Sequence, residues 1–117
     1  MTIEQLIRRR CRPCSGEASP LSRESARSYL GSLPDWSLSA DAKSLSRDWA
    51  MRDFAAAVEL VDEIARIAEA EDHHPDIHLT GYRNLRVELS THSIGGLSEN
   101  DFILAAKIET LPKRLKA

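Results

Sequence analysis

Two adjacent histidines, His73 and His74, stand between acidic residues and a proline. His78 follows closely, and the fourth histidine, His92, precedes a Gly95-Gly96 turn. Imidazole is the one side chain whose unperturbed pKa, about 6.5, lets it both give and take a proton near neutrality. This concentration of imidazoles therefore suggests general acid–base chemistry. A metal reading fits less well. His74 and His78 are four apart, but Pro75 biases His74 toward an extended conformation, so the two do not share a helical face. The zincin pattern also demands a glutamate directly after its first histidine, where this chain has Pro75. Cys11 and Cys14 form a single Cys-x-x-Cys that could be half a zinc site or a redox pair. No second cysteine pair completes a tetrahedral set, so they read as two reduced thiols in a loose arm. His78 reads as an ordinary surface or core histidine.

The elements that must position these residues follow from periodicity. Residues 1 to 19 carry Arg, Cys, Pro, Ser and Gly without a sustained period, and read as an arm outside the core. The division is thus an N-terminal arm over 1–20 and one domain over 21–117. Ser22 is an N-cap for a short helix over 23–31 through Ala26, Tyr29 and Leu30, with Gly31 as a left-handed cap. Trp36 and Leu38, then Leu45, Trp49 and Met51, alternate with polar residues as a hairpin broken at Ala40-Asp41, with Arg47 falling on the apolar side. Asp53 caps the longest helix. Phe54, Val58, Val61, Ala65 and Ala68 recur along it at helical steps and are expected to form the face laid on the sheet.

Pro75 ends that helix near Asp72, so His73-His74 lies at its exit into a strand. Strands are expected over Ile77 to Tyr82, with Gly81 as a weak spot or bulge, and through Leu85, Val87 and Leu89. Ser98 then caps a final helix with Asp101 in the capping-box position, and Pro112 closes it. Helix, two strands, helix, two strands, helix implies an α+β fold: a four-stranded antiparallel sheet with three helices packed on one face.

At 117 residues the chain is expected to form one ordinary core. The 16 basic and 18 acidic residues are dispersed and give a net charge of −2, which argues against an electrostatic nucleic-acid surface. The local run Arg8-Arg9-Arg10 with Arg12 reads as part of a solvated arm. No stretch approaches the roughly 20 apolar residues of a membrane helix, and Met1 to Cys14 lacks a secretory core. The expectation is a soluble, cytoplasmic protein with no nucleic-acid or membrane partner.

Taken together, Glu69-x-x-x-His73-His74-Pro75, Tyr82, His92 and Asp101 at their spacings resemble the signature of the pterin-4a-carbinolamine dehydratase family. The stretch Gly-Leu-Ser-Glu-Asn-Asp-Phe-Ile-Leu-Ala, Trp36 and Asp53-Phe54 extend the resemblance from about Leu33 to Leu111. It implies homodimers or homotetramers without metal, cofactor or prosthetic group. It also implies dehydration of 4a-hydroxytetrahydropterin to quinonoid dihydropterin, which regenerates the cofactor of aromatic amino acid hydroxylases. His73, His74 and His92 become the catalytic candidates. Glu69 and Asp72 would orient the nearest histidine, and Asp101 would do so for His92 if the turn brings them together. Pro75, Ser90, Thr91 and Ser93 align with the substrate-binding segments. The alternative on this scaffold is a non-enzymatic assembly or dimerisation factor, or a role in molybdopterin-type cofactor metabolism.

Overall fold

The computed structural model describes residues 1–13 and 19–117, so Cys14, half of the Cys-x-x-Cys, lies outside the described residues. The helices are α1 (Ile3–Ile7), α2 (Arg23–Leu30), α3 (Phe54–Glu71) and α4 (Glu99–Glu109), and a 3-10 turn covers His92–Ile94. The strands are β1 (Ser37–Leu38), β2 (Leu45–Ala50), β3 (Asp76–Thr80) and β4 (Asn84–Leu89). All pairings are antiparallel in the order β1-β2-β4-β3, which is the α+β arrangement expected.

The alternation in β2 and β4 divides the sheet into two faces. Leu45, Trp49, Leu85, Val87 and Leu89 join the core with Leu60 and Ile64 of α3 and Phe102 and Leu104 of α4. Asp48, Arg86 and Glu88 project from the opposite face, where Arg86 bridges Asp48 at 2.9 Å and Glu88 at 2.8 Å. Arg47, out of pattern on the apolar side, reaches the end of α4. Its guanidinium lies 3.3 Å from Glu109 and 5.2 Å from the Trp49 ring centre, so its stem packs while its charge is paired. Trp36 donates to the same Glu109 carboxylate at 2.7 Å and meets Trp49 edge-on.

Four expectations are corrected. The stripe Phe54, Val58, Val61, Ala65, Ala68 is not the buried face as a whole: Phe54 is 55% and Val58 46% exposed and Ala65 is exposed, while Val61 packs at the edge of the core and Ala68 is buried. The buried face is Ala57, Leu60, Ile64, Ala68 and Glu71. The helix carries two apolar stripes of equal periodicity, and the core took the one with the larger aliphatics at i and i+4. The N-terminal residues are not a free arm either. Thr2 and Gln5 form a capping box for α1, and Leu6 is wholly buried in the main core. Five residues are too few for periodicity to reveal a helix, which here forms because Leu6 has a core to enter.

Gly31 caps α2 in the right-handed region, φ −56°, because the chain continues through tight turns at Ser32 and Leu33. Finally, β3 stops at Thr80. Gly81 (φ 53°) and Tyr82 (φ 55°) form the left-handed hairpin tip, so Tyr82 is an exposed turn residue rather than a strand end.

Candidate active site

α3 ends in a way that delivers the two histidines. Asp53 caps its start by accepting the Ala56 N–H at 2.8 Å. At the other end Asp72 turns left-handed (φ 51°, ψ 42°), a conformation that Asp tolerates better than most residues. The backbone N–H of Asp72 and that of His73 return to Ala68 and Glu69 carbonyls, closing the helix as Pro75 starts the strand. Asp72 therefore has a capping role in the backbone.

His73 and His74 leave this corner with different surroundings. His73 is nearly buried, and its Nε2 lies 2.6 Å from Oδ1 of Asp101, which is wholly buried. His74 is half exposed, and its Nε2 lies 2.5 Å from Oε2 of the exposed Glu69 one turn back. Glu69 thus pairs with a histidine as expected, and Asp101 does so with a different one: its partner is His73, not His92. The reason is that Asp101 is in the first turn of α4, aimed inward at the end of α3.

Asp101 is the hub of the buried network. Its Oδ2 accepts the Thr91 hydroxyl at 2.9 Å and the Ser98 backbone N–H at 2.9 Å, and the Ser98 hydroxyl meets Thr91 Oγ1 at 2.8 Å. An ionised carboxylate can only accept, so the contact at Oδ1 selects the His73 form with its hydrogen on Nε2. One group does the structural work of a capping box and the chemical work of holding a ring. The expected capping role and an orienting role coexist.

Thr91 connects this network to the fourth histidine. His92 follows it at the start of the 3-10 turn and is exposed, lining a cavity of about 230 Å³ with Lys43, Ser90, Thr91, Gly95 and Gly96. Thr91 and Gly96 exchange backbone hydrogen bonds that close the loop. Gly95 has φ 71°, which the turn favours in glycine, and a Cβ on Gly96 would stand 2.7 Å from the Pro20 side chain, so the close approach of Pro20 favours glycine there. Ser93 lies in the same 3-10 turn.

His78 is on the charged outer face of the sheet, 3.6 Å from Glu88, away from this network. Among the described residues no cluster of three or more His, Cys, Asp or Glu is arranged to hold a metal ion. Among them, too, no helix is long and apolar enough to cross a membrane. Sequence reasoning missed Thr91 and Ser98 as the links between Asp101 and the His92 loop, and Lys43 on the cavity rim. The hydroxyls carried a signal only in their spacing from Asp101, and Lys43 carried none.

Comparisons with known proteins show the family and the fold. The sequence model of the family described as Pterin 4 alpha carbinolamine dehydratase matches residues 19–111. A relative from Halorhodospira halophila that carries the pterin-4-alpha-carbinolamine dehydratase name is 48% identical over 101 residues, 86% of this chain and 92% of its own. Pterin-4-alpha-carbinolamine dehydratase 2, a mitochondrial protein of Arabidopsis thaliana, is 40% identical over 94% of this chain, which spans 60% of that longer protein. The crystal structure of a transcriptional coactivator/pterin dehydratase from Brucella melitensis superposes with a TM-score of 0.72 at 28% identity, covering 78% of this chain and 96% of that one.

Proposed function

We propose that this chain, which belongs to the pterin-4a-carbinolamine dehydratase family, dehydrates a 4a-hydroxytetrahydropterin to the quinonoid dihydropterin through His73, His74 and His92. It is a hydro-lyase. The C4a–O bond breaks, the hydroxyl leaves as water with an added proton, and N5 loses its proton as the N5=C4a double bond forms. Two proton transfers on one substrate call for two groups that exchange protons near neutrality, one acting as acid and one as base.

The observation that carries this reading is the 2.6 Å contact between buried Asp101 and His73. A carboxylate held by the Thr91 hydroxyl and the Ser98 N–H fixes the ring in turn, and general acid–base catalysis of this kind is worth about 10²–10⁴-fold. Glu69 holds His74 at the open side of the same corner. The His92 loop, with Ser90, Thr91 and Ser93, is tied to this corner through the Thr91–Asp101 hydrogen bond, and Pro75 starts the strand that leaves it. Asp72 completes the corner through its backbone.

The exposed Phe54 and Val58 on α3 support a homodimer or homotetramer, since a water-facing apolar stripe of this kind is stabilised by cover. A cytoplasmic location belongs to the same reading. The direct test is absorbance-monitored loss of enzymatically generated 4a-hydroxytetrahydrobiopterin. The protein accelerates it if the reading holds, and the uncatalysed rate would overturn it.

A further inference from the structure

The family match begins at residue 19, yet residues before it grip the two segments that carry the site. Glu71, two positions before His73, ends the buried stripe of α3, and its side chain is only 5% exposed. Its Oε1 accepts the Cys11 backbone N–H at 2.8 Å. Its Oε2 lies 3.1 Å from Arg10 Nε and 3.2 Å from Lys107 Nζ on α4. Asn100, the residue before Asp101, holds the next residue of the same strap: its Oδ1 accepts Arg12 N–H at 2.9 Å and its Nδ2 donates to Arg12 O at 2.5 Å.

Residues 10–12 therefore bridge the end of α3 and the start of α4. They attach two residues from one end of the His73–Asp101 contact and one residue from the other. A buried, paired carboxylate is weak evidence of stabilisation, because an apolar residue of similar volume often serves a core at least as well. Its better-attested use is to fix one arrangement among several. The arrangement at stake here is the spacing of two helix ends, and helix ends are where local opening begins.

We propose that Glu71 and Asn100 are positioning residues, which clamp Arg10–Arg12 across α3 and α4 and so set the distance and ring orientation of His73 against Asp101. The kinetic part of this inference rests on the dehydratase reading; the geometric part does not. A misplacement of about 1 Å at a reacting group can cost about 100-fold in rate.

The test uses full-length Glu71→Leu, Glu71→Gln and Asn100→Ala beside Arg9→Ala. The last removes the 2.7 Å ion pair to Glu99 and leaves the clamp intact. Two quantities are read: kcat and KM on 4a-hydroxytetrahydrobiopterin, and the downfield proton resonance of the His73 Nε2–H, assigned by its loss in His73→Ala.

The clamp predicts that Glu71→Leu lowers kcat about tenfold with KM within about twofold, and broadens or moves the resonance. Glu71→Gln, which keeps an acceptor for Cys11, recovers most of both, and Arg9→Ala changes neither. Folded Glu71→Leu with wild-type kcat and an unmoved resonance would overturn the proposal. So would an equal loss in Arg9→Ala, which would mean general stabilisation. If Glu71→Leu does not fold, Asn100→Ala is read by the same criteria. If the wild type fails to turn over the substrate, the dehydratase reading falls and the resonance alone decides the clamp.

Discussion

Oδ1 of Asp101, a residue with no solvent exposure, lies 2.6 Å from Nε2 of His73, while Oδ2 of the same carboxylate caps α4 and binds Thr91. Helix start, loop anchor and histidine support are one group, so no substitution can remove its chemical role without touching the fold. Asp101→Asn is the mildest probe, since the amide oxygen can retain the Ser98 or Thr91 bond while the other half of the amide becomes a donor. Such a change is expected to cost about 1–3 kcal/mol of stability in thermal or urea unfolding. It should also lower kcat about 10–100-fold in protein that remains folded. Wild-type turnover by Asp101→Asn would remove His73–Asp101 from the mechanism.

The His74–Glu69 pair is the contrasting case. Its carboxylate is 77% exposed and its imidazole 54%, so water screens the interaction. Glu69→Gln is expected to change stability by less than about 0.5 kcal/mol and kcat by less than about fivefold. A larger kinetic loss than in Asp101→Asn would show that the exposed pair, not the buried one, holds the ring that matters.

Acid should loosen the helix ends that carry the site. Burial alone would raise the Glu71 carboxyl, but the Cys11 N–H, Lys107 and Arg10 outweigh it and hold it below the ordinary carboxylate range. Burial likewise acts upward on Glu99, and the Tyr29 hydroxyl and Arg9 bring it down. Groups depressed on folding stabilise fully above their unfolded pKa and lose that contribution as pH falls through the folded value. The melting temperature should thus be flat down to about pH 4.5 and fall below it. The fall should be shallower in Glu71→Gln. An identical acid slope in that variant would contradict the assignment.

Cys11 should be chemically quiet. Burial, reinforced by the neighbouring Glu71 carboxylate, pushes its thiol up to about 12, so almost no thiolate exists at pH 8. Alkylation of Cys11 by iodoacetamide, followed by peptide mass spectrometry, is expected to be more than about 100-fold slower in native than in urea-unfolded protein. Comparable rates would mean that the strap around residues 10–12 opens freely.

Much of this molecule was legible in residue order. Pro75 forced the exit from α3, Ser98 and Asp101 marked the start of α4, and the alternation around Leu85, Val87 and Leu89 defined a strand with one buried face. Each of those signals is local. What failed needed tertiary knowledge: apolar periodicity alone does not distinguish the Phe54–Val58 stripe of α3 from the Leu60–Ile64 stripe until the sheet is in place. One clue was available there. Glu71 sits in helical register with Leu60, Ile64 and Ala68, and an acidic residue on an apolar face announces a buried partner. The pairing of Asp101 with His73 rather than His92 is likewise a fact of chain crossing, separated by 28 residues.

The most direct measurement of the central claim is stopped-flow decay of 4a-hydroxytetrahydrobiopterin with wild type, His73→Ala, His74→Ala and His92→Ala, each checked for folding by circular dichroism. The account predicts acceleration by wild type, losses of about 10²–10⁴-fold in His73→Ala and His92→Ala, the two sides of the Asp101–Thr91 network, and a smaller loss in His74→Ala, whose Glu69 pair is open to water. Decay at the uncatalysed rate with wild type, or full activity in both His73→Ala and His92→Ala, would contradict it.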